Sequence, residues 1–430
     1  MKKKKIILIG AGLRGIAYTD IMAVRNDQYE VVSVAEPIEN RREYIKKKHN
    51  IPDGMCFSSW EPILAMPKFA DAVIISTMDR DHLAPAMAAI DRGYDILLEK
   101  PIAPTPEDCF RITEAANRKG VRVLVCHVLR FTPFFNLLKK CIDEGMIGEV
   151  MSIQHAEHVG NLHQSHSFVR GNWRNSEESS CMILQKTCHD LDILQWLVNK
   201  PCKRIQSFGS LSYFRKENKP DGAPLRCIDG CPHAATCPYD AVKVYLEDKG
   251  NTWFRTSATH CVAPTDADVE KALRETDYGK CVFQCPNNVV DHQIVNMEFE
   301  GGVTVNMTME AFNKGERNIM IMGTKGEIRG KMKEDHITLF DFLTRETRQI
   351  PVTDAILNES ITGGHGGGDK GIVYAFYDLL NGNLNSKSIC DISVSCKNHM
   401  LSFAAEKSRL TGKVIDVDNY IQEIITKTRS

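Results

Sequence analysis

No run in this 430-residue chain approaches the ~18 consecutive apolar residues that a membrane-spanning helix needs. Neither sign of charge is in excess. The net charge of −1 gives no electrostatic basis for binding nucleic acid or a membrane surface. The fifteen cysteines are too scattered for a disulfide framework, so most are expected to be buried apolar residues in a reducing compartment. No secretory leader is expected either. Met1 to Ile9 imitates one, but its apolar run is too short and Arg14 interrupts the continuation, so a cytoplasmic protein is expected. What is present is ordinary globular composition, 43% hydrophobic and 25% charged, in a length that implies two domains.

Gly10-Ala-Gly12-Leu-Arg-Gly15 organises the first domain. It follows Lys5 to Ile9, which reads as a fully buried parallel strand, and precedes a helical pattern at Ile16, Ala17, Thr19, Ile21 and Met22. Strand, G-x-G-x-x-G and helix together form a dinucleotide-binding fingerprint. Gly10 permits the tight turn, Gly12 lets the backbone approach a pyrophosphate, and Gly15 lets helix and strand pack closely. A second strand, Val31 to Ala35, ends at Glu36, where a carboxylate can accept hydrogen bonds from the adenine ribose. That carboxylate would repel a 2′-phosphate and favours NAD over NADP, a preference that Arg41 and Arg42 weaken.

The strand–helix alternation continues. Strands are expected at Asp71–Ser76, Tyr94–Leu98 and Val121–Val125, and helices over 40–48, 82–92 and 104–119. This implies a doubly wound parallel sheet whose ligands lie beyond the carboxyl ends of the strands. Thr77, Glu99, Lys100 and His127 fall at such ends, and Pro101 stiffens the chain beside Lys100.

With Glu99-Lys100-Pro101, Val128-Leu-Arg130-Phe131-Thr-Pro133, Ile147-Gly148-Glu149-Val150 and Cys188-His189-Asp-Leu-Asp192, the glycine motif resembles the Gfo/Idh/MocA family of NAD(P)-dependent oxidoreductases. The resemblance covers the chain to about residue 200. It implies a Rossmann domain over 1–130 and a substrate-binding and oligomerisation domain over 131–430. The second domain would carry a large, mostly antiparallel sheet that often forms the oligomer interface, giving a homo-oligomer. It also implies that Lys100 sits beside the nicotinamide and that His189 is the general acid/base on the substrate hydroxyl, a task suited to an imidazole titrating near working pH. The expected cofactor contacts are Gly10, Gly12, Leu13, Arg14, Gly15, Glu36, Arg41, Thr77, His82, Glu99, Lys100 and His127.

Beyond residue 130 the pattern changes. A helix is expected over Phe134–Glu144, a strand over Glu149–His158 and a helix over Met182–Leu197 that carries His189. Glycine turns at Gly301-Gly302 and Gly323–Gly326 predict hairpins, and helices are expected at Gly371–Leu380 and Val394–Leu410. Many family members place an aspartate one turn before the histidine; here it is Gln185, which cannot ionise. Asp192 is expected to fix its helix rather than react. On the 149–158 strand His155 and Glu157 face one side, and His158 the other. The glycine-rich Gly363-Gly-His365-Gly-Gly-Gly-Asp369 is expected to approach substrate. Glu157, Arg174, Gln185, His189, His365 and Lys100 are the candidate substrate contacts.

A polar insertion over about 220–287 holds Cys227-x3-Cys231-x5-Cys237 and Cys281-x3-Cys285, spacings that can serve a structural zinc. Free thiols are the alternative, and no basic helix follows that would suit DNA. The chain is therefore expected to be an NAD-dependent oxidoreductase of a secondary alcohol in a sugar or sugar derivative. The rival readings are a redox-assisted glycoside hydrolase and a non-catalytic NAD(P)-sensing regulator.

Overall fold

A computed structural model describes residues 3–353, 364–384 and 386–429. The first sheet has six parallel strands in the order β3-β2-β1-β4-β5-β6: β1 (Lys4–Ile9), β2 (Tyr29–Ala35), β3 (Cys56–Phe57), β4 (Ala72–Ile75), β5 (Asp95–Leu98) and β6 (Val123–Val125). Helices on both faces leave its central strands wholly apolar, and Ile6 to Ile9 and Ala72 to Ile75 are fully buried. The register is level: Ile9 pairs with Ala35 and Ile75, Ile75 with Leu98, and Leu98 with Val125. Gly10, Glu36, Ser76 and Glu99 therefore stand in one row at the carboxyl edge.

The second sheet has nine strands in the order β14-β13-β12-β11-β7-β10-β9-β8-β15. They are β7 (Val150–His158), β8 (Cys202–Ser210), β9 (His292–Phe299), β10 (Thr304–Glu310), β11 (Glu316–Gly323), β12 (Gly326–Lys331), β13 (His336–Asp341), β14 (Thr347–Pro351) and β15 (Ile415–Asp416). Only the β7–β10 pair is parallel. Burial alternates along β7, with Ile153, His155 and Glu157 inward, as the period of two requires. Both expected glycine turns are found, between β9 and β10 and between β11 and β12.

The cysteine-rich insertion leaves the sheet after β8 and returns at β9. It has its own small core around Tyr245, Phe254, Val269 and Leu273. Two late helices tie the halves together. The helix Gly368–Leu380 lays Ile372, Val373 and Phe376 against Ile6 and Leu8 of β1, and Tyr29 Oη donates to the Val373 carbonyl at 2.6 Å. The helix Ile392–Thr411 reaches both sheets: His399 Nε2 accepts from Ile102 N at 3.1 Å, and Ser408 Oγ from Ser207 N at 2.9 Å. Among the described residues no helix is long and apolar enough to cross a membrane.

Candidate active site

The glycine turn does what its spacing implies. Gly10 has φ +87°, and a Cβ there would lie 2.7 Å from the Ser76 carbonyl. A Cβ on Gly15 would come within 2.2 Å of the Gly10 carbonyl oxygen, so helix and strand close only without one. At Gly12 a Cβ would meet nothing within 4 Å: the turn's outer side is open. The helix that follows, Leu13–Val24, has no side-chain cap and no acidic residue in its first turn. Its free N–H groups and positive dipole end face that open side, which fits a pyrophosphate. Glu36 is buried at the edge of this cradle, its Oε2 accepting from Ala11 N at 2.7 Å and its Oε1 from Ile38 N at 2.9 Å.

Other expected cofactor residues serve the walls. Arg14 turns away from the cradle, with Nε donating to Glu99 Oε1 (2.9 Å), Nη2 to Tyr18 Oη (2.7 Å), and Nη1 and Nη2 to the Asp369 carboxylate (3.0 and 2.6 Å). Tyr18 Oη donates to Glu99 at 2.6 Å and Lys100 N donates to its other oxygen at 2.9 Å. Burial alone would raise the Glu99 pKa; the charges of Arg14 and Lys100 and these hydrogen bonds outweigh it and hold the pKa below the usual range. Glu99 thus fixes the turn into Lys100. The His82 ring spans the carbonyls of Pro101 (2.8 Å) and Thr77 (3.2 Å), joining the loops after β4 and β5. Leu13 is an exposed apolar residue at the rim, and Thr77 Oγ1 donates to the Asp81 carbonyl.

The candidate reaction centre lies where the expected Met182–Leu197 helix is broken. It runs Met182–Gln185, unwinds at Lys186 and Thr187, and restarts at Cys188. The Gln185 carbonyl accepts the Lys100 ammonium at 2.7 Å. His189 is the second residue of that piece and is buried, and its Nδ1 has no partner among the described residues. Burial, followed by the charges of Lys100, His127 and His365, holds its pKa well below the ordinary imidazole range, so the ring is neutral near pH 7. The His127 ring lies 6.1 Å from it and the His365 ring 6.3 Å, centre to centre. His365 Nδ1 is 3.1 Å from Asp369, which joins the glycine-rich loop to the Arg14–Glu99 network; Gly363, at the head of that motif, lies outside the described residues.

Behind His189 the charges are paired. Arg130 makes two hydrogen bonds to Asp192, at 2.6 and 2.9 Å, and Asn398 adds a third at 2.6 Å. Although burial opposes it, Arg130 and His127 bring the Asp192 pKa down to about 2, so this carboxylate is an anchor. Asp190 takes His155 Nε2 and Arg317 Nε, each at 2.8 Å. Glu157 takes Lys186 at 3.1 Å and Arg317 at 2.9 Å. Lys186 and Arg317 are charged residues of this candidate site that sequence reasoning did not assign to it. Lys186 had a signal, a lysine inside an apolar helical run; Arg317 on β11 had none. Arg174 is held by Glu178 (3.0 Å) and by Asp277 of the insertion (3.4 Å) rather than beside His189.

The zinc expectation is corrected. Among the described residues no group of three or more His, Cys, Asp or Glu side chains is placed to hold a metal ion. The chain does bring Cys227 and Cys281 together, through a bridge pairing Arg226 with Lys280 and a bond from Cys281 N to the Leu225 carbonyl. Cys281 is close enough to act electrostatically on Cys227, Cys237 and Cys285, but these sulfurs do not converge on one point. Cys227 Sγ accepts from the buried Arg170 guanidinium at 3.8 Å, and Cys285 Sγ donates back to the Cys281 carbonyl at 3.4 Å. Cys231 and Cys237 are half-buried free thiols.

Two family profiles match the chain. One is an oxidoreductase family with an NAD-binding Rossmann fold, over residues 4–127; the other is the C-terminal alpha/beta domain of that same family, over residues 139–370. The protein belongs to the Gfo/Idh/MocA oxidoreductase family. A relative of this oxidoreductase named only as to class, YteT of Bacillus subtilis, is 24% identical over 85% of this chain and 86% of its own length. Inositol 2-dehydrogenase of Corynebacterium glutamicum is 27% identical over 46% of this chain, a match spanning about half (54%) of that enzyme. The same holds for 2,7-anhydro-N-acetylneuraminate hydratase of Escherichia coli, 27% identical over 47% of this chain and 53% of its own length. Levoglucosan dehydrogenase solved with NADH and levoglucosan shares the oxidoreductase's fold, with TM-score 0.72 and 17% identity over 97% of this chain and all of that one.

Proposed function

We propose that this oxidoreductase uses NAD to oxidise a secondary alcohol of a sugar or sugar derivative, or reduces the matching ketone. One observation carries the reading: the Lys100 ammonium is held on the Gln185 carbonyl, four residues ahead of a buried, neutral His189, at the carboxyl edge of the first sheet. When bound, the nicotinamide supplies a hydride acceptor. The chain's own residues supply the rest. His189 takes the hydroxyl proton as the C–H hydride departs, which a ring kept neutral near pH 7 is ready to do. Lys100 donates to the same oxygen and steadies its developing negative charge. Glu36, whose carboxylate forms no ion pair with an arginine among the described residues, supports NAD over NADP.

A panel of alditols, aldoses, uronates and aryl glycosides with NAD, read for NADH absorbance and for aglycone release, tests this. NADH formation that Lys100→Met and His189→Ala abolish is expected. No turnover with any polyol or sugar, in protein that binds NAD, would count against it. A second reading has support in the hydratase relative: oxidation, elimination and return of the hydride on the enzyme, with aglycone release and no NADH. Self-association through the outer face of the nine-stranded sheet is proposed as well, since Phe208 and Ile294 pair there and stand exposed, at 52% and 36%.

A further inference from the structure

The insertion reaches back to the first domain, and where it lands matters. Val262 N donates to Asn40 Oδ1 at 2.9 Å, and Arg41 Nη2 donates to His260 Nδ1 at 3.2 Å. Asn40 and Arg41 lie just beyond the carboxyl end of β2, beside Glu36. Cys261 and Tyr278 of the insertion are the other ionisable groups close enough to act on Arg41, together with Glu36 itself.

A second landing lies beyond β4. Trp173 Nε1 and Ser180 Oγ donate to the two oxygens of Asp79, at 3.2 and 2.6 Å, and Arg80 donates to the Ser176 carbonyl at 3.2 Å. The 172–180 segment is stitched to the insertion: Asn288 N donates to the Arg174 carbonyl at 3.0 Å, Ser176 N to Asn288 Oδ1 at 2.8 Å, and Arg174 pairs with Asp277. Segment and insertion therefore make one continuous strap.

The sheet order decides what the strap crosses. β1 lies between β2 and β4, so the glycine turn lies between the two landings. A strap fixed beyond β2 on one side and beyond β4 on the other flanks the open side of Gly12. Resting on the NAD reading above, we propose that this strap is the outer wall of the dinucleotide site. His260 is an adenosine-binding residue beside Arg41, and the cofactor leaves only when the strap lifts. Among the described residues no carboxylate forms an ion pair with Arg41; its guanidinium is held by a neutral imidazole, which leaves its charge free for the nucleotide.

The test uses the full chain and the variants Asn40→Ala and His260→Ala, each first matched to the parent by melting temperature. Release of NAD is followed in a stopped-flow chase, and affinities for 5′-AMP and nicotinamide mononucleotide are measured separately. Loosening the strap at Asn40, or removing the His260 side chain, is expected to speed NAD release and weaken 5′-AMP by about tenfold, and to leave nicotinamide mononucleotide within about twofold. Unchanged release and 5′-AMP affinity in both variants overturns the proposal, as does an equal loss for both half-molecules. A parent chain that binds neither NAD nor 5′-AMP overturns the cofactor reading instead.

Discussion

The Lys100 ammonium and the Gln185 carbonyl are 2.7 Å apart, and that bond exists because a helix is interrupted. In an unbroken helix the Gln185 carbonyl would accept from His189 N. Here Asp190 N and Leu191 N both donate to Thr187, and the Gln185 carbonyl is left for the lysine. The interruption thereby sets the spacing between the proposed base and the proposed electrophile. Lys100→Met, which keeps the stem and removes the donor, is expected to lower kcat by about a hundredfold or more with little change in NAD affinity. His189→Ala should lower it by about a hundredfold to ten-thousandfold. Steady-state kinetics beside NAD titration separate the two effects; a loss confined to NAD binding would refute the assigned roles.

Gly12 and Gly15 should part company. Gly15→Ala forces a Cβ to 2.2 Å from the Gly10 carbonyl oxygen and is expected to give insoluble or unfolded chain. Gly12 has φ −70° and open space before it, so Gly12→Ala should fold with a stability change below about 1 kcal/mol. Its added methyl would stand where a pyrophosphate must approach, and NAD affinity should fall at least about tenfold. Calorimetric titration of a soluble Gly12→Ala decides it.

Acid should unfold this protein early. Burial pushes the pKa of His166 and His399 down to about 3, and those of His127, His163 and His189 also lie below the usual value. In the unfolded chain these rings take protons near pH ~6.5, whereas the folded state refuses them. The unfolded state therefore binds more protons between those pH values. Stability is full above pH ~6.5 and declines as pH falls from there toward 3. Melting temperatures recorded from pH 8 to 4 should drop on the acid side, and a flat profile down to pH 5 would contradict the burial of these rings.

Glu99 and Asp369 share one arginine across 270 residues of chain, and Arg14 is the shared partner. Arg14→Ala leaves two buried carboxylates, Glu99 and Asp369, without their shared cation. A loss of about 3 kcal/mol is expected for such a broken pair, with a raised KM because His365 loses its mooring. Urea unfolding and KM measured on the same variant check both halves.

Sheet-face association predicts that Phe208→Lys with Ile294→Lys shifts the protein toward monomer in light scattering while NAD binding persists. Retention of the parent mass in that variant would place the contact elsewhere.

Much of the fold was legible because it follows from periodicity. The parallel strands are unbroken apolar runs, β7 alternates, and the paired glycines after Phe299 sit where the chain turns. The cradle was legible because glycine has few substitutes at φ +87°. The proposed pair of Lys100 and His189 came only through the family resemblance; a helical histidine alone says little. What stayed hidden are contacts made between distant segments. Arg14 looked like a cofactor residue from its place in the motif, but the carboxylates that claim it come from the end of β5 and from a helix near the end of the chain. Arg41 was legible from its place behind Glu36, but its meeting with His260, and that of Asn40 with Val262, shows no pattern, since it depends on how an insertion folds back. The cysteine spacing misled for a related reason: it records that two turns come together, not where their sulfurs point.

The helix Gly368–Leu380 has a consequence for how the chain is made. It covers the face of β1 that holds Ile6 and Leu8, and Lys4 Nζ reaches its last carbonyl, Leu380, at 3.1 Å. At roughly 5–20 residues per second, a ribosome needs on the order of 20–75 s to synthesise the stretch between these partners. Through that interval the opening strand is out of the tunnel with its greasy flank bare, a natural client for a chaperone until the closing helix arrives.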